Sequence, residues 1–424
     1  MKQRVLLGGK TMLIRNVHIE NAATPVDVRV VDGEFAEIAE QLVATEGEQT
    51  LEGNGNLMLP PYVEPHVHLD ACLTAGTPRW NESGTLFEGV QIFSEYKQLN
   101  LLSPDDVKRR ATKALRMLAA HGVQYVRSHV DVTEPTLTAL EPLLEVREEV
   151  RDFIDMQVVA FPQEGILSFP DGEKLLRKAA ASGVDAIGGC PHLEFTRAYG
   201  AESVRILMDV AEEYGLRVDV HCDEIDDSDS RNLEVLAALA LERGMGRRVA
   251  ASHTTAMGAY PDTYAHKLIN LLARSEVSII SNPMVNMHLG GRFDTYPKRR
   301  GLTRVKELNN AGVVVAFGED DLQDPWHPLG NGDMLDPVWM GVYAAQMMGY
   351  DELLDSYKFV TYNGARALAV DEDYGIRVGN PANCILLDAT NFYEVLRTHA
   401  PVTYSIRHGK VLASTQPAQT TLYV

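Results

Sequence analysis

The chain has 424 residues, 45% hydrophobic and 23% charged, which suits one large α/β domain with an appendage, or two to three smaller domains. Its 59 acids against 39 bases give a formal charge of −20, and such a surface repels nucleic-acid phosphates and anionic lipid. No stretch nears the ~20 apolar residues that span a bilayer, and the N-terminal "MKQRVLLGGKTMLIRN" lacks the apolar core of a secretory leader.

Residues 1–57 alternate apolar and polar side chains and carry turn signals such as "DGE", a pattern of antiparallel strands. From about residue 60 the rhythm changes. Short β-branched runs begin with "LMLPPYVEPHVH" and recur at 123–132, 156–163, 184–191, 217–224, 248–255, 277–285 and 313–320. Helix-patterned stretches separate them. "SPDDVKRRATKALRMLAAHG" has Ser103 as N-cap, acids at 105 and 106, and Gly122 as its stop, and "GAESVRILMDVAEEYG" follows the same design. Eight βα units predict a (β/α)8 barrel over 58–371. An open doubly wound sheet is the alternative, weakened because no G-x-G-x-x-G follows an early strand. From 372 to 424, "GIRVGNPANCILLDA" and "YSIRHGKVLAST" return to strand alternation. The two ends together predict one small β-sandwich domain.

Barrel enzymes gather their chemistry at the C-terminal ends of the strands. Here those ends carry His66 and His68 (strand one), Gln163 and Glu164 (three), His221 and Glu224 (five), His253 (six), and Glu319, Asp320 and Asp321 (eight). In an extended segment positions i and i+2 share a face, so His66 and His68 aim at one point. Imidazoles with a carboxylate suit one divalent ion, zinc or ferrous iron, with a position left open for water. The four cysteines (Cys72, Cys190, Cys222, Cys384) are scattered without a CxxC. A disulfide framework or a Cys-based zinc site is therefore not expected, and a reducing cytoplasm is.

At these residues the chain resembles the amidohydrolase superfamily, and within it the bacterial cytosine deaminases. The resemblance runs over nearly the whole length, through "VEPHVHLD", "WNESGTLFEG", "VAFPQEGILS", "VDVHCDEIDD", "ASHTTAM", "NPMVNMHLGGRFDTYPKRRG", "FGEDDLQDPWHPLG" and "STQPAQTT". It implies a distorted (β/α)8 barrel with a β-sandwich from both termini. It also implies hydrolytic deamination of cytosine to uracil and ammonia, as in pyrimidine salvage, with related ring amines (5-methylcytosine, isoguanine, creatinine, a triazine) as alternatives. A nucleobase substrate and a homo-oligomer are implied, and no nucleic-acid or membrane partner.

By position, the resemblance makes His66, His68, His221 and Asp320 the metal ligands. His253 becomes the histidine beside the attacking hydroxide, sharing its proton with Asp320, and Glu224 the acid that protonates the ring at N3. Gln163 would read the amide edge, and Leu86, Asp321 and Trp326 would line the pocket. Strand four, "VDAIGGCPHLEF", has no lysine to bridge a second ion, so one metal is expected, and His192 lies beyond the strand end. His221 and Glu224 share the pocket only if the chain turns at Cys222-Asp223. "GEDD" replaces an expected "GHDD", and strand alternation points Glu319 away from Asp320, toward a supporting role. A charged Asp321 beside C5 would disfavour a 5-methyl group, so cytosine is expected to be preferred to 5-methylcytosine. A non-catalytic barrel protein is the reading set against catalysis, and complete ligand and acid/base sets weigh against it.

Overall fold

The computed structural model describes residues 11–423. The first ten residues of the segment expected as N-terminal β structure, and Val424, lie outside the described residues. From the N-terminal side come β1 (Thr11–Ile19), β2 (Val26–Val31), β3 (Glu34–Ala39) and β4 (Gln49–Leu59). Next follow β5 (Tyr62–Val67), β6 (Val123–Asp131), β7 (Asp155–Phe161), β8 (Ala186–Ile187), β9 (Arg217–Cys222), β10 (Val249–His253), β11 (Ser278–Ser281) and β12 (Val315–Phe317). The last three are β13 (Cys384–Leu387), β14 (Val402–Arg407) and β15 (Lys410–Ser414).

Strands β5 to β12 pair in sequence order as one parallel sheet, with helices between successive strands. The sheet closes on itself. Val67, the last residue of β5, bridges Asp320, just past β12, in parallel; the Asp320 N–H donates to His66 O (2.9 Å) and the His68 N–H to Asp320 O (3.0 Å). The fold is a distorted (β/α)8 barrel. Regular pairing of β8 covers only two residues, but the chain stays in place through Gly188-Gly189, where Gly188 N–H donates to Ala160 O and His221 N–H to Gly189 O. Gly188 has no room for a side chain, since a Cβ would stand 2.1 Å from the Asp219 carbonyl oxygen.

The helices follow their sequence signals. Helix Pro104–Ala120 is capped by Ser103, whose hydroxyl accepts from the Asp106 N–H, and the chain leaves it through Gly122 at φ +88°. Helix Arg197–Tyr214 starts three residues earlier than its sequence pattern, capped by Thr196, and stops at left-handed Gly215.

Both termini build the second sheet, in the order β15-β14-β13-β4-β1-β2-β3. Alternation divides its side chains between two cores. Met58, Cys384 and Leu386 join Met12, Val28 and Phe35 in a cluster of their own, whereas Leu57, Leu59, Ile385 and Leu387 face the main core around the barrel. No helix of the described residues is long and apolar enough to cross a membrane. All four cysteines are free and buried.

One buried acid fastens the barrel seam. Glu64 is fully buried on β5; its Oε1 accepts the His66 N–H and its Oε2 the Glu319 N–H, both at 2.9 Å. Removing it strands two buried donors, each worth roughly 1–3 kcal/mol when unsatisfied. Glu64→Ala should lower the unfolding midpoint measured by circular dichroism, and an unchanged midpoint would exclude this fastening role.

Candidate active site

The last residues of the strands converge at one mouth of the barrel. His66 and His68 come from the end of β5, His221 from β9, His253 from β10, and Asp320 follows β12. His66 Nε2 lies 3.3 Å from Asp320 Oδ1, His68 Nε2 lies 3.5 Å from the same oxygen, and His68 Nε2 lies 3.1 Å from His221 Nε2. Donors sharing one zinc at 2.0–2.1 Å in a tetrahedral array stand about 3.3 Å apart. The buried Nε2 of His66 and Oδ2 of Asp320 have no hydrogen-bond partner. Nitrogen and oxygen donors gathered at this spacing fit a divalent cation. The fit requires no cysteine and no lysine.

Local backbone geometry aims these side chains. Asp223, His253 and Asp320 are all left-handed, at φ +54°, +67° and +72°. Such angles are uncommon outside glycine and favour Asp, Asn and His among the rest. At Asp223 the turn does what the sequence required: it lets His221 and Glu224, three residues apart, line the same cavity. Asp223 itself points away, taking the N–H groups of Asn232 and Leu233 at the start of helix Asn232–Glu242.

Electrostatics follow from burial. Burial, helped by neighbouring His129, pushes the His66 imidazolium down to about 4, and burial takes His253 down to about 3 and His221 well below the usual range. At His68 burial is outweighed by Asp320, which raises it; a proton held there competes with a cation for the same lone pair. Asp320 is pushed up by burial but held well below the ordinary carboxylate range by His253, His66 and His68. Glu224 goes the other way: burial, then the charge of Asp320, raises it well above.

His253 sits between the two acids, its Nδ1 3.2 Å from Glu224 Oε1 and 3.7 Å from Asp320 Oδ2. Asn286 fixes its tautomer. The Asn286 Oδ1 accepts the Asn282 N–H, which turns its amide nitrogen toward His253 Nδ1 at 3.0 Å. His253 Nδ1 is therefore an acceptor facing Asp320 and Glu224.

A cavity with about 380 Å³ of non-atom space opens above the donor cluster. His68, His221, His253, Asp320 and Glu224 form its polar floor and side, with Leu86, Gln163, Asp321 and Trp326 around them; His66 lies fully buried beneath. The ten residues to which the resemblance gave site roles thus meet at one place. Phe161 stacks on the His221 ring (4.6 Å, 13°). Trp326 donates its indole N–H to Leu86 O (3.3 Å) and lies on Gly89, where a Cβ would come within 2.2 Å of the indole nitrogen. Past Leu86 and Leu289 the cavity joins an outer cleft with about 860 Å³ of non-atom space, where Phe87 and Phe293 approach to 6.4 Å.

Two sequence expectations resolve in detail. Glu319 stays out of the cavity; its Oε1 accepts the N–H groups of Asn331 and Gly332, and burial raises it to about 8. At Asp321, expected to be charged, the surroundings work against the charge. Burial and the adjacent Asp324 raise Asp321 well above the carboxylate range, and the two acids share a hydrogen bond. A carboxyl raised in this way opposes the charge on which the expected bias against a 5-methyl group rested.

Sequence reasoning passed over several residues that the fold brings in. His129, at the end of β6, packs its ring 3.9 Å from that of His66. His192, which the sequence placed beyond the strand end, also lines the cavity and donates from Nδ1 to His221 O at 3.1 Å. Lys97, on helix Leu86–Gln98, binds Asp131 at 2.6 Å and Glu164 at 3.1 Å, while Asp131 accepts the Gln163 N–H. That ion cluster joins the helix that begins at Leu86 to the loop that carries Gln163. His129 and Asp131 lie at a strand end within the expected strand 123–132, which was signal enough to find them; Lys97 had none.

Comparison with known proteins agrees with this geometry. The amidohydrolase family profile matches residues 49–413. N-isopropylammelide isopropyl amidohydrolase from Pseudomonas sp. (strain ADP) is 27% identical over 95% of this chain and 96% of its own, and a pterin deaminase from Rhizobium rhizogenes is 29% identical over 92% and 88%. Among solved structures, 5-methylcytosine deaminase from Klebsiella pneumoniae, liganded with 5-fluorocytosine, superposes with a TM-score of 0.94 at 49% identity, covering 97% of this chain and 99% of that one. Profile, relatives and the converged strand ends agree: the chain belongs to the amidohydrolase family of hydrolytic enzymes.

Proposed function

We propose that the protein removes the exocyclic amine of a 4-aminopyrimidine nucleobase by hydrolysis, acting on 5-methylcytosine and cytosine and releasing ammonia. The observation that carries this reading is the small cavity in which Gln163, Glu224, His253 and Asp321 surround the donor cluster. It is supported by the similar Klebsiella pneumoniae deaminase, which was also crystallised with phosphonocytosine.

In this reading His66, His68, His221 and Asp320 hold one divalent cation, zinc or ferrous iron. When bound, such an ion acidifies water to near neutral pH and supplies Lewis acidity. The remaining work falls to side chains. Asp320, with the neutral imidazole of His253 beside it, takes the proton of the attacking water. Glu224, whose carboxyl burial raises well above the usual range, gives its proton to ring N3, receives the proton shed by the water through His253 at 3.2 Å, and passes it to the amine, which leaves as ammonia; the hydroxyl proton left on the tetrahedral carbon returns to Glu224 as the carbonyl forms. Gln163 presents an amide donor and acceptor to the N1–H and C2=O edge. Leu86 and Trp326 enclose the flat ring, with Trp326 held by its bond to Leu86 O.

Beside a neutral Asp321, a 5-methyl group gains from burial. One buried methyl is worth ~0.8 kcal/mol, about fourfold in kcat/KM.

Ammonia release from the metal-loaded protein should therefore be seen with both bases, with 5-methylcytosine at or above cytosine. A preference for cytosine by about tenfold, the scale of one rejected methyl, would restore the charged reading of Asp321. Release only from a pterin, isoguanine, creatinine or a triazine would replace the substrate class. Glu224→Gln should still bind the base by calorimetry but turn over ~10²–10⁴-fold more slowly; wild-type turnover would remove Glu224 from the acid role.

A further inference from the structure

Behind His66 runs a buried chain of hydrogen bonds that touches neither the cavity nor solvent. Arg127 Nη1 donates to Asp219 Oδ2 at 2.9 Å, Ser252 Oγ donates to Asp219 Oδ1 at 2.7 Å, and His66 Nδ1 lies 2.8 Å from Ser252 Oγ. All four side chains are buried to within 1% of completely. Arg127 is anchored in turn by Gln157 Oε1 and the Ala367 carbonyl.

Counting protons fixes the direction of every link. Arginine has only donors, and the carboxylate paired with it has only acceptors. Ser252 owns one hydroxyl proton, and the Asp219 oxygen takes it. The serine oxygen can then only accept from His66, so Nδ1 must carry the imidazole proton. Nε2, on the other side of the ring, is left with a bare lone pair 3.3 Å from Asp320 Oδ1. His129 lies on the ring face at 3.9 Å, with its own Nε2 3.7 Å from the same Asp219 oxygen, and holds the imidazole plane.

We propose that Arg127, Asp219 and Ser252 are positioning residues that set the tautomer of His66, so that Nε2 is always presented to the cation. This rests on the reading of His66 as a ligand. The chain also predicts what reverses it. In Asp219→Asn, an amide of the same shape, Arg127 still claims the oxygen, so the amide NH₂ turns toward Ser252. Ser252 must then donate to His66 Nδ1, and the imidazole proton moves to Nε2, where it blocks coordination. Removing the hydroxyl in Ser252→Ala only releases the ring. The isosteric change should therefore be the more damaging of the two.

The test measures zinc affinity without substrate, by competition with a chromophoric chelator, on metal-free wild-type protein and on the Ser252→Ala, Ser252→Thr and Asp219→Asn variants, each checked for folding by its thermal midpoint. Loss of a group that orients a metal-binding histidine costs about 10–100-fold in affinity. Ser252→Ala should fall in that range, Ser252→Thr should stay close to wild type, and Asp219→Asn should bind more weakly than Ser252→Ala. Wild-type affinity in both Ser252→Ala and Asp219→Asn overturns the proposal. If Asp219→Asn does not fold, the Ser252→Ala and Ser252→Thr pair decides it alone. A wild-type protein that binds neither zinc nor iron overturns the ligand reading of His66 itself, which separates that failure from failure of the relay.

Discussion

The seam between the first and last barrel strands is the contact on which the rest of this molecule depends. Closing the barrel and assembling the donor cluster are one event, because the residues that bridge the seam through their backbones are His66, His68 and Asp320. Glu64 ties the same seam from below. Gly318, just before it, has no space for a side chain, since a Cβ would meet Asn282 Oδ1 at 2.6 Å and Glu64 Oε1 at 2.9 Å. An open sheet of the same strands would keep every helix and lose the site. Fold and function are coupled here through a few ångströms of strand pairing.

Around that seam, burial assigns each titratable group a distinct state. His66, His221 and His253 are pushed toward the neutral form, Asp320 is held low by His253, His66 and His68, and Glu224 and Asp321 are raised well above the carboxylate range in the same cavity. Pushing carboxyl groups apart in this way separates a proton donor from an anionic partner within one pocket. Burial and Asp324 push Asp321 the same way as Glu224, so the cavity wall opposite the donor cluster carries a second raised carboxyl group. The outer cleft beyond Leu86 and Leu289 gives the cavity a wide approach, while the inner space stays small.

The architecture was legible in the sequence because period-two and period-3.6 patterns are local. All eight barrel runs overlap an observed strand, and Ser103 and Gly122 bound their helix as their chemistry requires. The site was legible because His-x-His, His221, His253 and Asp320 each fall at the end of a recognisable strand. Other parts were written only in three dimensions. Lys97 sits in a helix with nothing in its neighbours to announce Asp131 or Glu164 as partners. Asp219 and Ser252 read as ordinary strand residues, and their meaning comes from standing next to each other across β9 and β10. The pairing of Asp321 with Asp324 was not legible, because the two acids meet only after the loop folds back.

The left-handed exits at Asp223, His253 and Asp320 have a consequence for how this scaffold could be altered. A β-branched or bulky side chain at those positions would strain the main chain before its chemistry mattered. The barrel rim therefore admits a narrow alphabet, in which aspartate, asparagine, histidine and glycine are the tolerated letters. New reactions on this framework are more accessible through the walls, at positions such as Leu86, Gln163 and Asp321, than through the three corners from which the chain leaves its strands.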